Sequence, residues 1–114
     1  FTPRPPFLTP YPLLPADGTV IEGEGSTVLL SWTAAGDLPD NTFYVVFLTA
    51  EGGETHTYWT QATSYRLPAE ARPPRLTAYT WYVVVMEKLG VDEKGIFYGH
   101  PLSSPGPART FRWR

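Results

Sequence analysis

Two long runs of β-branched and aromatic residues most constrain what this chain can fold into. They are TFYVVFLTA (42–50) and LTAYTWYVVVMEKL (76–89). Val, Thr and aromatic side chains favour extended backbone, and turn-forming segments such as EGGE and GVDEKG bound the two runs. The sequence shows no clear amphipathic helix with a 3.6-residue apolar period. We therefore predict an all-β fold.

Shorter extended segments bring the predicted total to about seven strands. In chain order the strands are VIEG, TVLLSWT (27–33), the run at 42–50, THTYWTQ, TSYRLP, the run at 76–89 and ARTFRWR, and IFYGHPL is expected to be partly extended. AEARPPR is predicted to be a connection, because its two prolines cannot donate to a central ladder. Short strands separated by turns, in a chain of 114 residues, predict a single antiparallel β-sandwich.

Several of these segments resemble the fibronectin type III module. Trp32 ends LSWT, FYVVF follows after a loop, and LTAYTWYVVV precedes a final strand introduced by SSPGPARTF. The resemblance covers residues 15–114 and implies that Trp32 and Tyr79 are core residues. The family's Leu-Pro before the tyrosine is found at Leu67 and Pro68, with AEARPPR inserted between. The resemblance implies a fold and no single function, because this sandwich serves adhesion, receptor, spacer and assembly roles.

Composition excludes several functional classes. Nine basic and eleven acidic residues give a net charge of −2, without the basic stripe that a nucleic-acid partner requires. No apolar run approaches the roughly 20 residues of a membrane span. The chain has no cysteine, which excludes disulfides, thiol catalysis and zinc sites with cysteine ligands. A single Asn, Gln and Met beside 13 prolines points to a thermophilic source.

We predict no catalytic residue, no cofactor and no metal site. Ser103, His100 and Asp92 have the residue types of a hydrolytic triad, but no nucleophile elbow or glycine-rich oxyanion loop accompanies them. His56 and His100 are too far apart for zinc-site spacing, and the acidic pairs in GDLPDN and VDEK fall short of a calcium loop. The chain is therefore expected not to be an enzyme.

Carbohydrate binding is a weaker alternative, based on exposed aromatic side chains. The candidates for a stacking platform are Tyr58, Trp59, Tyr65, Tyr98 and Trp113. Adjacent residues of a strand face opposite sides, so Tyr58 and Trp59 cannot both face outward. Trp113 alternates with two arginines and is expected in the core of the last strand.

The opening segment FTPRPPFLTPYPLLP combines six prolines with large apolar residues. Pro6, Pro10 and Pro12 are all even-numbered, so the odd-numbered residues keep their N–H groups and one edge of a strand remains able to pair. Such a one-sided strand suits the edge of a sheet. The segment is the first strand of the same domain, a strand added to a neighbouring subunit, or a linker. Its large apolar residues argue against the linker. We divide the chain into this arm (1–14) and the sandwich (15–114).

Both long strands carry apolar side chains on both faces. If alternate residues such as Tyr44 and Val83 face the core, six others form two adjacent outward rows. They are Phe43, Val45 and Phe47 on the first strand and Tyr82, Val84 and Met86 on the second. Monomers rarely leave such a patch exposed, so we expect it to be covered. The cover is IFYGHPL or the arm folding back, a second copy of the chain, or another partner or domain.

Together these features predict a non-catalytic extracellular structural module that assembles as a cell-surface or filament subunit. Its sequence starts at Phe1 and not at methionine, from which we expect export or excision from a longer chain. The predicted partner is another protein or further copies of the same chain. The alternative is a monomeric spacer or carbohydrate-binding module of a larger exported protein. Val45→Asp or Val84→Asp is then expected to block assembly and leave the fold intact. The predicted interface residues are Phe7, Leu8, Tyr11, Leu13, Leu14, Phe43, Val45, Phe47, Tyr82, Val84 and Met86.

Overall fold

The structure, a computed structural model, describes residues 7–114, so the first six residues of the predicted arm lie outside the described residues. Residues 7–114 form nine strands and one short 3-10 helix, Ala69–Ala71. The strands are β1 (Pro12–Leu14), β2 (Thr19–Ile21), β3 (Val28–Trp32), β4 (Thr42–Ala50), β5 (Thr55–Thr60), β6 (Ser64–Leu67), β7 (Thr77–Val91), β8 (Phe97–Pro101) and β9 (Arg109–Trp113).

The strands form two sheets packed face to face, which confirms the predicted all-β sandwich. One sheet has the order β1-β3-β6, and the other has the order β2-β9-β7-β4-β5, with β8 paired to the distal part of β7. The strand count exceeds the predicted seven because the arm adds β1 and IFYGHPL forms β8. One pair is parallel: β2 runs alongside β9, with Thr19 opposite Phe111. The chain pairs with β3 as β1, then crosses to the other sheet as β2.

The core between the sheets is built on Trp32, as the resemblance implies. Its ring meets Tyr44 and Trp81 edge-on, at centroid distances of 5.7 and 6.5 Å. The Tyr44 hydroxyl accepts a hydrogen bond from the Ala35 N–H at 2.9 Å, so its polar atom is satisfied in the interior. Tyr79 is partly buried and stacks on Phe111. Burial of each large side chain contributes roughly 1.5–3 kcal/mol to folding.

The arm lies on the edge of its own three-stranded sheet. The Tyr11 N–H donates to Thr33 Oγ1 at 2.9 Å, and the Thr33 N–H donates back to the Tyr11 carbonyl at 2.8 Å. The register shifts between Pro12 and Leu14, and Leu14 remains paired with β3 opposite Ser31. The Arg109 guanidinium then donates to the carbonyls of Leu13 and Pro15, which ties the arm to the opposite sheet.

Gly106 lies where the arm meets β7, and its lack of a side chain permits this contact. Its N–H donates to the Val83 carbonyl at 2.9 Å. A Cβ at this position would collide with the backbone oxygen of Pro10 and lie 3.3 Å from that of Val83. We expect Gly106→Ala to displace the arm and lower the free energy of unfolding by about 1–3 kcal/mol, measured in urea. Ser104→Ala, at an exposed position of the same loop, is the control, and equal stability of the two variants would contradict the prediction.

Asp17 joins the start of β2 to β9 through its carboxylate. Oδ1 accepts from the Thr110 N–H at 2.8 Å and from Thr110 Oγ1 at 3.1 Å. These bonds, led by the one from the backbone and aided by the nearby Arg109 charge, hold the pKa of Asp17 below its ordinary value of 3.8.

The folded chain therefore favours ionised Asp17, so this group stabilises the fold above pH 3.8 and its contribution is lost as the pH falls through the lowered pKa. We expect the wild type to melt above Asp17→Asn at neutral pH. The difference in melting temperature should shrink in acid, where both side chains are neutral. A difference that stays constant from neutral to acidic pH, followed by circular dichroism, would refute this role.

Candidate interaction surfaces

The outer faces of β4 and β7 bring the six predicted sheet residues together. The strands pair antiparallel with Phe43 opposite Met86, Val45 opposite Val84 and Phe47 opposite Tyr82. The rings of Phe47 and Tyr82 stack with centroids 4.9 Å apart and planes 6° from parallel. We call these six residues the outer face.

The centre of the outer face is covered from within the chain. Val45 is 0% exposed and Val84 is 6% exposed. Trp59 on β5 lies opposite Val45 and meets Phe43 edge-on at 5.9 Å. Phe97 on β8 meets Trp59 at 5.7 Å, so a residue of IFYGHPL folds back over the sheet. The valines are therefore shielded, and the surrounding members of the outer face remain partly exposed.

The predicted arm residues divide into one inward and four outward side chains. Phe7 packs against the core cluster, and the three prolines at 10, 12 and 15 are buried. The outward residues are Leu8, Tyr11, Leu13 and Leu14, which are 71%, 56%, 52% and 53% exposed. We call these four the arm surface. The prolines hold the backbone against the sandwich, and the large apolar side chains point to solvent.

The β7–β8 hairpin is a third apolar surface, formed where the sequence predicts a loop at GVDEKG and a partly extended segment at IFYGHPL. Its exposed residues are Leu89, Val91, Ile96 and Tyr98, with Phe97 beside them. Asp92 orders the turn, because its Oδ1 accepts from the N–H groups of Lys94 and Ile96 at 2.8 and 2.9 Å. Gly95 adopts a φ of +81°, which glycine tolerates best. Gly95 three residues after Asp92, between two apolar segments, is a hairpin signal that reveals this element.

Ser103, His100 and Asp92 do not form a hydrolytic triad. The Ser103 hydroxyl is buried, donates to the Ser104 carbonyl and accepts from the Val85 N–H. The His100 ring faces Glu87 at 3.9 Å, and the Asp92 carboxylate is occupied by its own turn. Residues 7–114 contain no cluster of three or more His, Cys, Asp or Glu side chains that could bind a metal ion. Over the same range, no helix is long and apolar enough to cross a membrane.

The five aromatic residues considered for a sugar platform do not share a surface. Trp113 is buried in the core, where its Nε1 donates to Ser26 Oγ. Tyr58 and Tyr65 stack at 4.6 Å and close the side of the sandwich, and burial raises the pKa of the Tyr58 phenol. Trp59 lies over the outer face.

The structure is similar to a known fibronectin type III domain. That domain is the solution structure from human fibronectin type III domain containing protein 3, with a TM-score of 0.53 and 17% sequence identity, covering 99% of this chain and 89% of that chain. At this identity the similarity establishes the fold alone, and that fold is the predicted one. Neither a protein-family model nor a curated protein sequence matches the chain.

The burial of Val45 changes the effect expected from a charge in the outer face. Val45→Asp would place a carboxylate under Trp59 without a partner, and we expect a loss of about 3–5 kcal/mol in unfolding free energy. Val20→Asp, at a half-exposed position of β2, is the control and should cost about 0.5 kcal/mol. The measurement is chemical unfolding, and a Val45→Asp chain as stable as Val20→Asp would show that the cover is loose.

Proposed function

We propose that this chain is a secreted or cell-surface structural module, without catalytic activity, that assembles with other copies of itself through the arm surface and the partly exposed rim of the outer face. The observation that carries this proposal is the exposure of four large apolar side chains within seven residues of the docked arm. Exposed apolar surface of this kind is typical of association sites in folded proteins.

The arm surface is preorganised for association. Backbone bonds to β3 and the Arg109 clamp hold the strand before any partner arrives, and buried prolines restrict its backbone further. Little conformational entropy therefore remains to be lost on binding. Burying each side chain against a partner contributes roughly 1.5–3 kcal/mol, so a few of them can hold a stable contact.

Two separate apolar surfaces on one chain fit an assembling subunit. The arm surface lies on the edge of the three-stranded sheet, and the rim of the outer face lies on the other sheet. Contact between unlike surfaces on successive copies propagates into rings or filaments. The exported location is part of the same proposal and is supported by a fold that is common in extracellular proteins.

The test compares arm and control variants in solution. We expect the wild type to sediment as concentration-dependent oligomers and the double variant Leu13→Glu/Leu14→Glu to stop at one or two copies, because charged side chains oppose burial of the arm surface. Val20→Glu/Leu76→Glu, at exposed apolar positions outside the arm, should assemble as the wild type does. Larger assemblies that persist in the arm variant, with unchanged unfolding, would overturn the proposal.

One observation favours the alternative of a monomeric spacer. The valine row at the centre of the outer face is already covered by Trp59 and Phe97 of the same chain. A spacer of this kind would remain monomeric at every concentration in the sedimentation experiment.

A further inference from the structure

β5 is the open edge of the larger sheet. It pairs with β4 on one side and, within residues 7–114, has no strand on the other. The Glu51 N–H donates to the Ala78 carbonyl, so odd-numbered residues along β4 direct their backbone groups to β7 and even-numbered ones to β5. The register places His56, Tyr58 and Thr60 opposite even-numbered β4 residues. The N–H and C=O groups of Thr55, Thr57 and Trp59 therefore point to the open edge.

Other edges of the described fold carry features that oppose further pairing. β1 contains Pro12 and is flanked by Pro10 and Pro15, β2 is only three residues long and is followed by Glu22, β6 includes Arg66 and stops before Pro68, and β8 ends at Pro101. β5, with the sequence THTYWT, has no proline and no Lys, Arg, Asp or Glu. Proline and charge are the usual means of blocking edge-to-edge association. Their absence from β5 leaves an edge that can accept another strand.

A groove of 340 Å³ runs beside this edge. It is lined by Thr57, Tyr58 and Trp59 of β5, by Tyr65 of β6 and by residues 95–97 of the β7–β8 hairpin. Ile96 is 51% exposed at its wall. The lining has no charged side chain, and it includes Thr57 and Trp59, whose backbone groups point to the open edge. An extended, uncharged strand fits both properties.

We propose that the occupant is β5 of a second copy, paired antiparallel about a twofold axis at Thr57. In this register Thr57 faces its own counterpart and Thr55 faces Trp59, and each such pair exchanges both of its N–H···O bonds. Odd-numbered residues of one copy lie opposite odd-numbered residues of the other. Side chains that lie on the outer face of the sheet in each copy therefore lie on the same face of the joined sheet. A Thr–Thr cross-strand pair is favourable, and Glu54 lies opposite Thr60, so no like charges face each other.

The result is an isologous dimer in which two five-stranded paths join into one sheet. This interface uses no residue of the arm surface. It therefore goes beyond the proposed function, and its test is independent of the test of the arm surface. The arm double variant Leu13→Glu/Leu14→Glu is expected to remain a dimer through β5.

The first experiment changes the centre of the interface. Because the Thr57 N–H points to the open edge, Thr57→Pro removes a donor from the interface and no bond from the β4–β5 ladder. The measurement is the mass in solution of chains that also carry the arm double variant. We expect a dimer when residue 57 is the native Thr57 and a monomer with Thr57→Pro. Thr57→Val keeps the N–H and should remain a dimer. Thr57→Lys places two like charges at the axis and replaces the proline variant if that one does not fold.

The second experiment uses the absence of cysteine from the chain. A single Thr57→Cys substitution puts two thiols opposite each other across the axis, within the range of Cα separations that a disulfide spans. We expect it to form a covalent dimer under mild oxidation much faster than Thr110→Cys, an exposed control on β9. A monomeric arm variant over the whole dilution series, a dimeric Thr57→Pro, or equal cross-linking of the two cysteine variants would overturn the proposal.

Discussion

The pairing of β4 with β7 is the interaction on which the rest of the structure depends. Its ladder runs from Thr42 opposite Glu87 to Ala50 opposite Tyr79. Because side chains alternate, this one register sets both faces at once. It presents Trp81 to Trp32 in the core, and it aligns Val45 with Val84 on the outside. A shift by one residue would turn the wrong face of β7 to the core and move Trp81 away from Trp32.

The outer face shows how a sheet with two apolar sides is accommodated in a single chain. Small valines occupy the centre, and larger rings from β4, β5 and β8 close over them. This arrangement buries the most apolar part of the face without a partner. Outside this centre, the rim, the arm surface and the hairpin carry exposed apolar side chains, and within residues 7–114 the outer edge of β5 has no paired strand. The assembly proposed above uses the rim and the arm surface, and the proposed dimer uses β5.

Proline blocks further pairing at the β1 edge of the sandwich and is absent from the β5 edge. In the arm, buried prolines leave Tyr11 to bond with Thr33, so β1 pairs once and its far edge is closed. The turn after β1 then carries the chain across to β9, where Asp17 and Arg109 secure it. On β5 no proline or charge intervenes. The same fold therefore blocks further pairing at one edge and leaves another open within residues 7–114.

Local side-chain chemistry by itself determined that the two long runs form strands, observed at Thr42–Ala50 and Thr77–Val91, and that each strand has two faces. Only the tertiary structure decided what covers Val45, where the Pro-rich arm docks and that β2 runs parallel to β9. Those outcomes depend on contacts between residues far apart in the chain. Both kinds of determinant act in the β7–β8 hairpin. Asp92 and Gly95 specify its turn locally, whereas the contact of Phe97 with Trp59 depends on how β8 packs in the folded chain.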